Sequence, residues 1–582
     1  MNIDIQSILK KNIHQALQAL GREGELSLDS IHLEHPADLV MGDFSTNIAL
    51  ALAKKTSKNS LTLAAEIMAA ISSSKPQEIA KVEVAGPGFI NFYLDHLFLK
   101  MSVAEIVSKE GKVGANTFFA GKMVAVEYTD PNPFKQFHIG HLMTNIIGES
   151  LARLYEFSGA DVKRLCYQGD VGRHVALTLW GLRFMDKPFP SDEAPLAEKT
   201  AFLGAAYALG SKKIKEDPTA EIEIKEINRK IYERSDEELN AIYAKGREWS
   251  LEHFEEIYAV LGTKFDQYFF ESVTGPIGKK IVEEHPDIFE KSEGAVVFPE
   301  SKSGLHTRVF INSEGLPTYE AKELGLAKVK YAAFPYDLGI SITGNEQNDY
   351  FKVLLKALSF IFPEIAAKSA HLSHGMLRLA VNGGGSAKMS SRTGDVITGE
   401  SLLKEMIASA EEKIKDRPSL TSEEKKEIAK AVAVSAIKYS ILKQATSKDI
   451  IFDKEKSLSF EGDSGPYLQY SYVRAMSVIK KSVEKNELEK KEGSENIPAI
   501  SELERKLYRF GEVVSQACQD QAPHTVAQYL LEMAAAFNSF YASTPILPAG
   551  SEREYRLSLV KAFAIVMKNG LWLLGISAPE KM

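Results

Sequence analysis

Residues 122–157 read KMVAVEYTDPNPFKQFHIGHLMTNIIGESLARLYEF. KMVAVEYTD has the length and apolar character of a buried strand, and residues 139–158 carry apolar positions at helical spacing. DVKRLCYQGD (161–170) reads as a second strand. Strand, helix, strand in that order implies parallel strands joined by a helical crossover, the unit of a doubly wound α/β sheet. His138 and His141 stand where the first strand hands over to the helix, with Gly140 between them. Three residues apart on a helix, they share one face. A helix beginning near His138 puts both in its first turn, where unpaired N–H groups and partial positive charge seat phosphate. Gly140 has no side chain, so a flat base can approach the backbone. A metal site would need further ligands, and neither an H-E-x-x-H spacing nor nearby cysteines supply them. Two unrelated histidines on a partly buried helix remain as open a reading of four residues as a nucleotide site.

Outward from this stretch, 582 residues imply several domains. The first, 1–112, alternates helix-like and strand-like segments and closes on VEVAGPGFINFYL (83–94), a strand pair punctuated by Gly86, Pro87 and Gly88. Residues 107–122 suit a linker. The second domain, 113–400, holds the α/β sheet. It carries a charged helical insertion at about 185–300, after which THRVFIN, AAFPYDLGISIT and HLSHGMLRL are expected to resume the sheet. The third, 401–582, is almost wholly helical, with Thr421 and Glu424 in capping-box spacing. A net charge of -8 excludes a globally basic nucleic-acid coat but allows local basic patches. Two cysteines, Cys166 and Cys518, build neither a disulfide framework nor a zinc site and fit a reducing cytoplasm. The N-terminus reads as an amphipathic helix rather than a signal peptide, and no apolar run is long enough to span a bilayer.

A second motif tips the balance at the histidines. Residues 382–394, NGGGSAKMSSRTG, place Lys388 behind three glycines. A mobile cation of this kind can close over a triphosphate and neutralise charge as it develops. Most Gly-Ser-Lys stretches are solvated loops. No Walker loop competes: GANTFFAGKM has the wrong spacing and lacks the closing Ser or Thr.

H-I-G-H followed by K-M-S-S on a doubly wound sheet resembles the class I aminoacyl-tRNA synthetases. EYTDPNPFKQFHIGHLMTNIIGESLARLYEFSGADVKR, YQGDVGRHV, LPTYEAKELGLA, ITGNEQNDYFK and HGMLRLAVNGGGSAKMSSRTGDVIT narrow the resemblance to the arginyl-tRNA synthetases. GDFSTNIALALAKK with VAGPGFINFYL is similar to that family's N-terminal domain, and GDSGPYLQYSYVRAMSVI with NGLWLLGISAPEKM to its anticodon-binding domain.

The resemblance implies a Rossmann-like catalytic core between an α+β N-terminal domain and an all-helical anticodon-binding domain. It implies a monomer that joins L-arginine to tRNA(Arg) with ATP and Mg²⁺ as substrates, no protein-bound metal, and arginine activation that needs bound tRNA. His138 and His141 would hold phosphate, with Lys135 and Lys388 as the cations. Ser391 stands where most class I loops have a second lysine, and Lys135 sits where the arginyl family compensates for that loss. Gly140, Gly344, Asn345, Glu346, Met389 and Ser390 would line the nucleotide. Glu127, Asn132, His138, Tyr319, Glu323 and Gln347 would contact arginine, with Glu323 one methylene longer than the family's usual Asp. A selective pocket needs buried carboxylates for the guanidinium. Phe89 and Asn91 would meet the outer corner of tRNA, and Tyr467, Tyr470, Tyr472, Arg474 and Tyr541 the anticodon. The alternatives are a class I ligase for another amino acid and a catalytically silent tRNA-binding relative.

Overall fold

The computed structural model describes residues 4–22, 27–381, 385–387, 398–418, 420–485, 500–548 and 550–582. The chain forms two compact units. One comprises residues 1–113, 474–511 and 532–567; the other comprises 114–473, 512–531 and 568–582.

The first unit begins with helix Ile5–Ala19, capped by the Asp4 side chain. Its sheet has order β1-β3-β2, all antiparallel, from β1 (Phe44–Thr46), β2 (Ile79–Ala85) and β3 (Phe89–Leu94). Ile5, Leu9, Ile13, Phe44, Ile67 and Phe92 bury one face of that sheet against the helices, and Tyr508 joins the same cluster. Arg505 Nε lies 3.8 Å from the buried Asp43 carboxylate.

In the second unit, β4 (Met123–Glu127), β5 (Asp161–Gln168) and β6 (Gln267–Phe270) are parallel neighbours. Three strands, β7 (Glu290–Ser292), β8 (Ala295–Phe298) and β9 (Arg308–Ile311), make a separate antiparallel sheet. Strands β10 (Leu338–Gly344) and β11 (Ser369–His374) complete the parallel sheet on the other side of β4, giving order β11-β10-β4-β5-β6. A last sheet joins β12 (Leu377–Val381), β13 (Gly385–Ala387) and β14 (Ile450–Phe452).

Three expectations are corrected here. Residues 267–270, expected inside the insertion, form β6 of the main sheet, so the preceding helices between 173 and 261 are the crossover from β5 to β6. THRVFIN forms β9 of the small antiparallel sheet rather than resuming the parallel one. HLSHGMLRL is split: β11 ends at His374 and β12 pairs with β14 in a different sheet. The helix Ile139–Phe157 connects β4 to β5 as its sequence predicts, and Thr421 with Glu424 forms the capping box of helix Ser422–Leu442.

From β4 the chain winds outward through β5 to β6, then returns to place β10 and β11 on the opposite side. The strand order therefore reverses between β4 and β10, and ligands in open α/β sheets bind beyond the carboxyl ends of strands at such a point. Close helix packing fixes the walls. A Cβ on Gly278 would collide with the carbonyl oxygen of Ala321, and one on Gly325 with that of Thr274, so helices Glu271–Glu283 and Tyr319–Ala333 meet backbone to backbone.

Candidate active site

A cleft of about 570 Å³ opens at this switch point, lined by Thr129, Asp130, His138–His141, Met143, Thr144, Ile342–Gly344, Glu346, Gln347 and His374–Arg378. His138 is the N-cap of helix Ile139–Phe157 and His141 its third residue, and the two form a reciprocal capping box. His138 Nδ1 accepts from the N–H of Gly140 at 3.1 Å and of His141 at 3.4 Å, while His141 Nδ1 accepts from the N–H of His138 at 3.3 Å. Both Nδ1 atoms are thus acceptors, which leaves the ring proton on each Nε2. Surrounding protein pushes His138 down to about 4, helped by Lys135, although its ring sits at the solvent-exposed mouth. Burial pushes the pKa of His141 well below the usual histidine value. The pair is therefore neutral at physiological pH and presents two Nε2–H donors. This changes the expected use of the helix end: its first N–H groups are spent on the imidazoles, and the histidines become the donors. Gly140 also lies against the ring of its capping residue. A Cβ there would lie 3.0 Å from His138 Cε1, so glycine makes room for the capping ring.

The loop between β4 and this helix is strained and pinned. Thr129, Asp130 and Phe134 have φ of 80°, 47° and 67°. Such conformations cost about 1–3 kcal/mol each and persist where surroundings over-determine them. Thr129 Oγ1 accepts from Asn145 at 3.0 Å, Asp130 Oδ1 from the Tyr167 N–H at 2.7 Å, and Phe134 N–H donates to Ser250 Oγ at 3.0 Å.

Behind the loop lies a cluster of acidic side chains. Glu127 at the end of β4 is ion-paired with Lys330 (2.8 Å) and accepts from Ser341 Oγ (2.9 Å). Both its oxygens thus already have one partner each. Glu271, which sequence reasoning did not single out, pairs with the buried Lys322 at 2.6 Å. A Cβ on Gly169 would overlap Asn132 Oδ1 and come within 3.3 Å of Glu271 Oε1, so Gly169 lets both side chains share one spot. Glu323 takes no hydrogen bond or ion pair among the described residues. Burial, then the charge of Glu127, holds its carboxyl well above the usual range, and the same two causes act on Asp130. Burial raises Glu271 as well, against the pull of Lys322. Four acids thus share Lys330, Lys322 and the more distant Lys135, a cluster short of positive charge. The Tyr319 side chain is exposed beside it, with Lys322 Nζ 5.2 Å from the ring. Lys135 is half-buried between the two regions. Burial lowers it, Glu271 pulls it up, and its charge depresses both histidines.

Gly344 ends β10 and Asn345, Glu346 and Gln347 follow it, and all but Asn345 line the cleft. Lys388, Met389 and Ser390 lie outside the described residues. Of the positions expected to meet RNA, Asn91 is only 2% exposed and sits in the middle of β3, so its side chain is a packing group. Phe89 begins the same strand and is half-buried. Tyr472 is a core residue of helix Gly465–Lys485, while Tyr467 and Tyr470 are half-buried on it. The Arg474 guanidinium lies 5.2 Å from the ring of the exposed Tyr541.

Comparison with known proteins agrees with this geometry. The family model for tRNA synthetases class I (R), catalytic domain, matches residues 102–454. Those for the arginyl tRNA synthetase N terminal domain and the DALR anticodon binding domain match 7–94 and 468–582. An arginine–tRNA ligase of Clostridium perfringens is 32% identical, with 96% of this chain and 97% of that protein covered. One from Pyrococcus furiosus is 31% identical, with 99% of each covered. The solved arginyl-tRNA synthetase of Thermus thermophilus superposes with a TM-score of 0.78 at 25% identity, covering 99% of both chains. The parallel sheet with its histidine pair at the switch point is the core of a class I aminoacyl-tRNA synthetase. Within that class, this chain belongs to the arginyl-tRNA synthetase family.

Proposed function

We propose that the chain is an arginine–tRNA ligase and that the acidic cluster behind the histidine loop is where it holds arginine. The observation that carries the amino-acid assignment is the half-buried Glu323, which has no ion-pair partner among the described residues and clusters with Glu127, Glu271 and Asp130, the last lining the nucleotide cleft. A guanidinium supplies the missing cation and offers paired donors to carboxylates.

ATP, accompanied by Mg²⁺ as part of the substrate, lies along the cleft. The α-carboxylate of arginine attacks the α-phosphorus in line, the bond to the bridging oxygen breaks, and pyrophosphate leaves with that electron pair. The Nε2–H groups of His138 and His141 donate to the phosphate oxygens without carrying net charge themselves, and Lys135 supplies a cation. Lys388 would add a second from the opposite loop. Asn132, Tyr319 and Gln347 orient the amino acid, and Glu127 acts through its charge and by seating Lys330. The 3′-terminal adenosine of tRNA(Arg) then takes the arginyl group, its hydroxyl displacing AMP. Arg474 and Tyr541 form an aromatic–cation pair suited to an anticodon base.

Residues 1–112, 113–400 and 401–582 act as tRNA-contacting, catalytic and anticodon-binding segments of a cytoplasmic monomer whose arginine activation needs bound tRNA. Charging of total tRNA with each radiolabelled amino acid tests the reading. Arginine alone should become acid-precipitable. Charging with another amino acid, or binding of tRNA with no charging at all, would overturn it.

A further inference from the structure

The far end of the nucleotide cleft holds a polar group with half of its hydrogen bonding unmade, and its use rests on the ATP reading above. His374 closes β11 in register with Gly344 of β10 and lines the cleft, yet is only 4% exposed. Its Nδ1 lies 2.6 Å from the carbonyl oxygen of Gly375. A carbonyl can only accept, so Nδ1 carries the ring proton. Burial lowers the imidazole's pKa, which keeps the ring neutral. Nε2 is therefore a lone-pair acceptor, and among the described residues it has no partner. An unpaired buried acceptor is costly, so one that persists at a cleft calls for a ligand that completes it.

The neighbouring backbone cannot do the recognising. Gly375 N–H donates to Thr446 O at 3.0 Å, and Met376 O accepts from Ile450 N–H at 2.8 Å. Met376 N–H donates to Asp449 Oδ1 at 2.9 Å. What remains is an acceptor. Phosphates and carboxylates carry no proton at neutral pH and cannot satisfy it, which excludes the triphosphate and the amino acid's carboxylate. A neutral amine can. Met376, 41% exposed, and Leu377 put apolar surface beside it, as a flat ring requires.

We propose that His374 Nε2 accepts a hydrogen bond from the exocyclic 6-amino group of adenine and is a nucleotide-specificity residue of this enzyme. A 6-oxo purine would set lone pair against lone pair at that position, so guanine and hypoxanthine nucleotides are rejected.

The test is equilibrium binding of ATP and of purine riboside triphosphate, which lacks only the amine, to the full-length protein. Binding does not depend on which amino acid is activated, so failure of the arginine assignment leaves this readout intact. The wild type should prefer ATP by about tenfold, the value of one well-placed hydrogen bond. His374→Ala should bring the ratio to near one by weakening ATP alone. His374→Gln, whose Oε1 can take the place of Nε2, should keep most of the preference. A purely structural role would weaken both nucleotides equally and leave the ratio unchanged, which overturns the proposal. So would loss in His374→Ala of discrimination against 3′-deoxy-ATP instead, which would place the donor on the ribose. If the alanine variant does not fold, wild-type binding of inosine triphosphate decides: at least tenfold weaker than ATP supports the proposal, and equal affinity refutes it.

Discussion

Replacing Glu323 by Gln removes one ionisable carboxyl and keeps the side chain's shape. Glu127 has Lys330 and Glu271 has Lys322, each within ion-pair distance, but Glu323 has no ion-pair partner among the described residues and feels only Lys330, which is already paired with Glu127. It is the acid left for the substrate's guanidinium. Truncating one member of a buried, hydrogen-bonded charge pair costs about 2–5 kcal/mol. Near 3 kcal/mol, the loss is on the order of 100-fold in the KM for arginine. The KM for ATP should stay within about twofold of wild type, since the nucleotide contacts lie across the loop. Stability should move the other way. The carboxyl is held above its unfolded value, so the ionised form costs the folded state free energy at every pH above that unfolded value. Gln relieves that cost, so the variant should melt higher than wild type at pH 7–8, with the gain shrinking toward pH 4. ATP–pyrophosphate exchange with tRNA present, at varied arginine, and thermal melts at several pH values measure the two effects. An arginine KM changed by less than about threefold, together with an unaltered melting temperature, would refute the charge-deficit reasoning.

Arginine uptake should release protons, because a bound cation lowers the raised pKa values of Glu323, Asp130 and Glu271. Arginine affinity therefore falls as pH falls, and calorimetry in buffers of different ionisation enthalpy reads the proton count; buffer-independent enthalpies would contradict this. His138 and His141 titrate below the working range, so kcat/KM for ATP should show no histidine limb between about pH 6 and 8. An inflection near 6.5 that disappears in His138→Asn would contradict that. Gly278→Ala forces helix Tyr319–Ala333 off its neighbour and should destabilise the fold by about 1–3 kcal/mol. It should also raise the arginine KM more than the ATP KM, because Tyr319 and Glu323 ride on the displaced helix; kinetics on the folded fraction checks this.

The segments with strong periodicity were legible in the sequence. The β4–helix–β5 unit, the capping box at Thr421 and the long helices after 400 form where apolar spacing and cap residues put them. What escaped was set by long-range pairing. β6 is a four-residue strand following a 25-residue charged helix, and its own sequence, QYFF, is too short to announce a sheet. β9 looks locally like any strand, and only its partners decide its sheet. At the site, the motif gave the histidines but not their tautomers, which follow from the capping geometry. Glu271 was missed because it opens a helix with no motif around it, and its role comes from Gly169 and Lys322, which are distant in sequence. Glu127 was legible as a strand-end acid, but Lys330, about two hundred positions away, decides what its carboxylate does. The packed Asn91 shows the same limit, since burial is a property of the whole sheet.

The central claim is that this cleft activates arginine. ATP–pyrophosphate exchange tests it most directly, run with each common amino acid, with and without total tRNA. Exchange with arginine alone, strong only when tRNA is present, is the result expected. Exchange with a different amino acid, or none from folded protein that still binds tRNA, would contradict the account.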